Sequence, residues 1–288
     1  MARGTTSTFN GAAARRAVHS RYERPPILDD TWAIRLIDRK TRWIVRVPPL
    51  YRRYLAPEQQ RSSGFFAFAI RNLRLADELV DAAVARGVDQ YVILGAGLDS
   101  FGVRRQDLAD RLRVYELDQP EAQAVKRARL ERAAGRVPAN VELVPIDFET
   151  TSIPVALAGS SYDGTRPCVV SWLNTISYLT EDAVIASLRG LANVMAPGSR
   201  LLFNYPPRVP LTDEQKVAGD AVRASVQRRG EPFRSVYLPE HMVELVGEAG
   251  LAVEEHLTDA DLAKRYPAPP VETLRMSMPA RTIVARRD

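Results

Sequence analysis

A mostly parallel β-sheet covered by helices on both faces is the fold class this 288-residue sequence predicts. Three observations predict it. Short β-rich runs alternate with helical patterns from Val88 onward, a rhythm that calls for parallel strands joined by crossover helices. A glycine turn closes the first of those runs, in "QYVILGAGLDS" from Gln90 to Ser100. The hydrophobic content, 45%, supplies a core large enough for an α/β domain with additions.

The elements follow in order. Residues 1–87 are helical by pattern, with proline breaks at Pro25–Pro26 and Pro48–Pro49. Apolar runs at Tyr91–Leu94, Val114–Leu117, Val141–Ile146, Cys168–Trp172 and Leu201–Tyr205 read as strands. Helices are expected over Glu121–Ala134 and Glu181–Met195, the second with Thr180 as N-cap and Pro197–Gly198 as its stop. A helix near Pro239–Ala249 precedes strands at Leu251–His256 and Thr282–Ala285. These last two lack a normal-length helix between them, so one is expected to run antiparallel at the end of the sheet. The result is a seven-stranded, Rossmann-like sheet. A helical N-terminal cap and lead-in spans 1–87, and the domain proper spans 88–288. An insertion at about 206–236, read as an arginine-rich helix, and the N-terminal segment both fall near the carboxyl ends of the strands, where open α/β sheets bind ligands.

Composition narrows the function classes. No apolar run is long enough to span a bilayer, and the N-terminus lacks the apolar region of a secretory signal. A single cysteine, Cys168, rules out an internal disulfide and a cysteine-based metal cluster, and fits a reduced cytoplasm. The net charge of +5 raises nucleic acid or anionic membrane as partners. Yet the arginines are spread through every segment without a basic block, so neither partner is expected. No His/Cys/Asp cluster has metal-ligand spacing.

In the turn, Gly95 permits a conformation closed to residues with a Cβ, and Gly97 lets the chain approach a ligand closely, with Ala96 between them. NAD, FAD and S-adenosylmethionine can all be held by such a turn. About 20 residues later, "RVYELDQP" delivers Glu116 and Asp118, at the spacing where an acid bonds ribose hydroxyls. Both point to one face of the strand. Asp118, nearer the strand end, is favoured, with Glu116 second. The third strand ends in Asp147–Phe148, an acid able to accept from an adenine amino group beside an aromatic able to pack on a purine. Asp147 reads equally as a helix N-cap.

With these residues in order, the chain resembles the class I S-adenosylmethionine-dependent methyltransferases related to leucine carboxyl methyltransferase. It is most similar to the actinobacterial branch that includes polyketide O-methyltransferases. "VDQYVILGAGLDS", "VYELDQP", "VPIDFE" and "VVSWLNTISYLTEDAV" carry the resemblance, and "AAARRAVHSRYERPPILDDTWA" is similar to that group's opening segment. The resemblance implies an O-methyltransferase with S-adenosyl-L-methionine as cofactor, acting on a small-molecule carboxylate or polyketide-type hydroxyl in secondary metabolism. A protein C-terminal carboxylate is the alternative acceptor, and an inactive cofactor-binding protein a further one. It implies that Gly95 and Gly97 line the methionine part, Asp118 holds the ribose, and Asp147 with Phe148 holds the adenine. Leu173 and Asn174 stand where the carboxyl methyltransferases place a glutamate after the fourth strand. An arginine before the first strand would take the cofactor carboxylate; Arg71 is preferred over Arg74. Three departures stand out: Phe101 where relatives often carry arginine, Asn174 where glycine is usual, and the missing glutamate.

For the chemistry, His19 is the histidine placed to meet substrate, in the cap, and Tyr178 lies just past the fourth strand. His241 and His256 fall in late elements. Trp32, Trp43, Tyr51, Tyr54, Phe65 and Phe66 are either core or lining of a substrate cavity.

Overall fold

The computed structural model describes residues 2–55, 63–213, 215–217, 219–220, 227, 233–267 and 279–288, with side chains described from Phe9 and, after residue 55, from Phe66. Seven strands form one sheet: β1 (Gln90–Leu94), β2 (Arg113–Asp118), β3 (Val141–Pro145), β4 (Val169–Trp172), β5 (Arg200–Tyr205), β6 (Ala252–Thr258) and β7 (Arg281–Arg286). Their spatial order is β3-β2-β1-β4-β5-β7-β6. The first five are parallel, and β7 runs antiparallel to both β5 and β6. The antiparallel strand is therefore interior, and β6, not β7, forms the edge. Thr282 to Ala285 are all buried, as an interior strand requires, but which strands flank β7 is a matter of long-range pairing.

The helices before the sheet are α1 (Ala2–Tyr22), α2 (Ala33–Leu36), α3 (Arg39–Arg46), α4 (Pro48–Tyr54) and α5 (Ser63–Val84). Those within and after it are α6 (Phe101–Arg104), α7 (Pro120–Ala134), α8 (Ile153–Ala158), α9 (Glu181–Val194), α10 (Pro239–Glu248) and α11 (Asp259–Arg265). Thr180 caps α9 as expected, accepting from Ala183 N. Pro48 and Pro49 open α4 rather than only ending α3, since the first turn of a helix tolerates the missing N–H.

Strand periodicity sorts the core onto two faces. Val92, Leu94, Tyr115, Leu117, Trp172 and Phe203 meet α8, α9 and α10, while Tyr91, Ile93, Val114, Val169 and Leu202 meet α5. A third cluster is the cap itself: Ala13, Ala14, Ala17 and Val18, at helical spacing on α1, close over Ile37, Val45 and Leu98. Leu98 belongs to the glycine turn, so the cap is seated on it. The chain leaves β1 toward β2 and β3, then crosses back to β4 on the other side. The resulting switch point, between β1 and β4, is where such sheets open a ligand crevice. The helix expected within 206–236 lies largely outside the described residues. The insertion's two ends are joined to each other by the bridge Pro207–Tyr237, and Arg234 N donates to Ser177 O, past the end of β4, at 2.8 Å.

Candidate functional site

The wall of the crevice is the turn after β1. Gly95 and Gly97 have φ of +64° and +46°, in the left-handed region that favours glycine. Leu117 O, at the end of β2, accepts from Gly95 N at 2.8 Å and Ala96 N at 3.3 Å. Gly97 N donates to Asp118 Oδ2 at 2.5 Å, and Gln119 N to Asp118 Oδ1 at 2.7 Å. Turn and acid, 21 residues apart, are thus one hydrogen-bonded unit. Burial pushes the Asp118 carboxyl above its ordinary value; the two amide donors and Lys126 oppose that only in part. A half-buried carboxylate that wants further donors suits a ligand that brings hydroxyl groups.

Glu116 is excluded from that role, which corrects the second choice made from sequence. It is 2% exposed and ion-paired with Lys126 of α7, equally buried. One pleat deeper than Asp118, it lies beside Ile93 rather than at the turn. Removing either partner would strand a buried charge.

The opposite wall comes from the loop after β4. A Cβ on Gly95 would lie 2.2 Å from Thr175 Oγ1, so the two loops touch. Asn174 has φ +58°, the single positive φ outside glycine among the described residues. Asparagine, like glycine, tolerates the left-handed region. Asn204 of β5 holds it there. Asn174 N donates to Asn204 Oδ1 at 2.6 Å, and Asn204 Nδ2 donates to Asn174 Oδ1 at 2.9 Å. Asn174→Gly is expected to keep cofactor affinity within a few-fold of wild type. Asn174→Val should lose roughly 1–2 kcal/mol to left-handed strain, besides the paired amides. Calorimetric melting of both variants checks this.

Asp147 is half-buried and accepts from Glu149 N at 3.0 Å, while its carbonyl accepts from Thr150 N and Thr151 N. It caps a turn and not a helix, because α8 starts only at Ile153. The Phe148 ring corrects its expected purine contact. It is 8% exposed and stacked toward Trp172, with centroids 6.4 Å apart, in the core beneath the site. On α5, Arg71 turns inward and Arg74 outward. Arg71 is buried and donates through Nε to Tyr266 O at 3.0 Å, whereas Arg74 pairs with Glu78 at the surface. Burial lowers the Arg71 pKa from its ordinary value, and nearby Asp259 and Glu23 oppose that.

His19 does not serve as a base. Its imidazole is 2% exposed; Nε2 accepts from Ile27 N at 2.8 Å and Leu28 N at 3.3 Å, and Nδ1 lies 2.6 Å from Glu23 Oε2. With Nε2 occupied as acceptor, Nδ1 carries the proton toward Glu23, and no lone pair is left for substrate. Its function is to fold the chain back after α1. His19→Ala is expected to cost roughly 1–3 kcal/mol of stability through the two orphaned amides. Methyl-transfer turnover, measured on the folded fraction, should stay within a few-fold. Tyr178 sits in a short 3₁₀ turn, half-buried, its ring 5.4 Å from Phe233. Of the cap aromatics, Tyr51 stacks on Tyr22 at 4.4 Å, Phe66 lies under Arg15, and Trp43 and Tyr54 are exposed. Trp32 is half-buried, and the Phe65 side chain lies outside those described.

One connection was missed in the sequence. Arg16 of α1 donates through Nη2 to Leu98 O in the turn at 2.5 Å, and through Nε to Asp30 at 2.8 Å. Asp30 is 1% exposed. Burial alone would raise its pKa, but Arg16, Ser100 and Arg104 together bring it below the usual carboxylate value. The readable signal was an arginine amid the small buried residues of α1, 14 positions before the acid of "LDDTWA". Phe101 packs edge-on against Tyr91 at 4.8 Å. In this chain Arg16 ties the cap to the turn.

The family profile described as leucine carboxyl methyltransferase matches residues 10–192, from α1 through the turn to α9. The chain belongs to the leucine carboxyl methyltransferase family. A Bacillus subtilis protein assigned as the S-adenosyl-L-methionine-dependent methyltransferase YktD is 28% identical over 269 residues, 87% of this chain and 88% of that protein. A Mycolicibacterium gilvum protein assigned the same cofactor-dependent activity is 31% identical over 265 residues, covering 89% and 81%. Among solved structures, one from Thermobifida fusca described as a methyltransferase superposes with a TM-score of 0.59 at 16% identity, covering 89% of this chain and 93% of that one. That likeness concerns the fold. The protein is an S-adenosyl-L-methionine-dependent methyltransferase. Its residues fit that cofactor: at the edge of the glycine turn stands a half-buried acid, Asp118, whose two oxygens take one backbone amide each and have lone pairs left for hydroxyl donors. No helix among the described residues is long and apolar enough to cross a membrane.

Proposed function

We propose that this methyltransferase transfers a methyl group to an oxygen of a small organic molecule, with a carboxylate as the favoured acceptor over a polyketide-type hydroxyl. The state of the three histidines carries the reading. His19 is spent inside the cap, His241 pairs with Glu181 on the surface of α10, and His256 bonds Tyr205 at 2.8 Å. Each histidine already has a partner within the chain, and a carboxylate needs no base, since it is already an anion near neutral pH. The seating of the cap supports a small acceptor: a Cβ on Gly97 would lie 3.1 Å from Phe9 Cβ of α1, so α1 lies directly on the turn.

When bound, the cofactor supplies an electrophilic methyl on a sulfonium. Gly95, Ala96 and Gly97 offer backbone to its methionine part, Arg71 its guanidinium to the carboxylate, and Asp118 its two oxygens to the ribose hydroxyls. Asp147 accepts from the adenine amino group, and Leu173 and Asn174 close the β4 side. Tyr178 orients the acceptor. Arg16 and Asp30 hold the cap on the turn and keep water from the reacting pair, which favours a transition state in which opposite charges neutralise. Alignment of acceptor and methyl does the rest. The buried Cys168 thiol suits a reducing cytoplasm.

The test is incubation with methyl-labelled cofactor and panels of small acids, phenols and peptides with a free C-terminus, followed by mild alkali. Label in a small acid that alkali releases as methanol is the expected result. Alkali-stable label in phenols, or label in the peptides, would replace the acceptor proposed.

A further inference from the structure

The even spread of arginine along the whole chain conceals one local concentration. From Arg39 to Leu55 the sequence holds six basic residues and no acid. The fold puts five of them, Arg39, Lys40, Arg46, Arg52 and Arg53, on the exposed side of α3 and α4. None makes an ion pair with another described residue. The preceding acid, Asp38, is consumed as the N-cap of α3, bonded to Thr41 and Asn10. Trp43 and Tyr54 stand in the same surface, 61% and 60% exposed. Two exposed rings this large are not there to build the core, because other residues anchor these helices. Val45 is fully buried, its carbonyl accepts from Tyr22 Oη at 2.7 Å, and Tyr51 stacks on Tyr22.

We infer that the outer face of α3 and α4 docks on the surface of an anionic phospholipid bilayer. Charge complementarity points to an anionic partner, and the apolar residues choose among anionic partners. Trp43, the Val47–Leu50 junction with its exposed Pro48 and Pro49, and Tyr54 give the patch an aromatic and aliphatic centre flanked by cations. Tryptophan and tyrosine favour the boundary of headgroups and acyl chains, where arginine and lysine reach the lipid phosphates. A nucleic acid would meet the cations and rings but offers nothing to the prolines and Leu50. This is attachment to a surface and not a span, in keeping with the absence of a long apolar helix among the described residues. It places the cap, whose inner side rests on the glycine turn, with its outer side at the membrane.

Co-sedimentation of the full chain with phosphatidylcholine vesicles, with and without phosphatidylglycerol, tests the inference. Partition is expected only with phosphatidylglycerol present, falling as salt rises, with a blue shift of tryptophan emission that Trp43→Phe abolishes. Each basic residue near such a surface contributes roughly fivefold, so Arg46→Gln/Arg53→Gln should lower partition about 30-fold. That double variant should keep the wild-type melting temperature and cofactor affinity, because both side chains are exposed and neither makes an ion pair with a described residue. Equal partition on both vesicle types, no partition on either, or an unchanged double variant would overturn the inference. So would a single-stranded oligonucleotide that displaces the vesicles at equimolar phosphate.

Discussion

Asp118→Asn is expected to weaken S-adenosyl-L-methionine binding by about 100-fold or more while leaving the unliganded protein at least as stable as wild type. The affinity loss follows from replacing a carboxylate that accepts two hydroxyl donors by an amide that repels one of them. Hydrogen bonds to a charged group are worth about 1.5–3 kcal/mol each. The stability result follows from the sign of the shift. Burial raises the folded pKa of Asp118 above its unfolded value. For such a group, stability is greatest below the unfolded pKa and is lost as pH rises through the folded one, so at neutral pH the ionised form is held at a cost. The amide removes that cost and still accepts from Gly97 N or Gln119 N. Melting at pH 7 with and without cofactor reads both effects. A variant that melts well below wild type and binds unchanged would show that Asp118 is a structural acid only.

Gly95→Val should abolish measurable cofactor binding and cost at least about 3 kcal/mol of stability. Left-handed backbone at a residue with a Cβ costs roughly 1–2 kcal/mol, and more for a branched side chain. The new Cβ would also stand 2.2 Å from Thr175 Oγ1 and 3.0 Å from its Cγ2, so the two walls of the crevice must part. The two contributions separate in a mutant cycle. Gly95→Ala/Thr175→Ala should be less destabilised than the sum of its single variants, because the alanine at 175 removes the clash and not the backbone strain. Strict additivity would mean that the loops after β1 and β4 do not touch.

Much of this was readable in the sequence for identifiable reasons. β1 is an unbroken apolar run from Tyr91 to Leu94, β2 and β4 are apolar but for Glu116 and Ser171 within them, and the turn's glycines announce positive φ. The place of Asp118 beside the turn followed from the roughly 20-residue spacing, which fixes where β2 ends relative to the turn. What failed depended on facing. Glu116 and Asp118 share a strand face, and only the fold shows that the deeper one meets Lys126. Phe148 and Asp147 are neighbours, so one faces the core when the other does not. His19 in a polar helix gave no sign of two amides brought to it from beyond Pro25–Pro26. The interior position of β7 required strand pairing that no local pattern encodes, and the exposed basic face of α3 and α4 required knowing which side of each helix α1 covers.

The central claim is that the cofactor lies in the crevice between β1 and β4, with Asp118 at the ribose and Glu116 serving only the fold. Calorimetric titration of S-adenosylhomocysteine into three proteins tests it most directly: wild type, Asp118→Asn, and Glu116→Leu/Lys126→Leu, which exchanges the buried ion pair for apolar side chains, a swap that is often neutral or stabilising. The account predicts near wild-type affinity in the double variant and loss of binding in Asp118→Asn. Full binding by Asp118→Asn, with loss in a folded Glu116→Leu/Lys126→Leu protein, would contradict it.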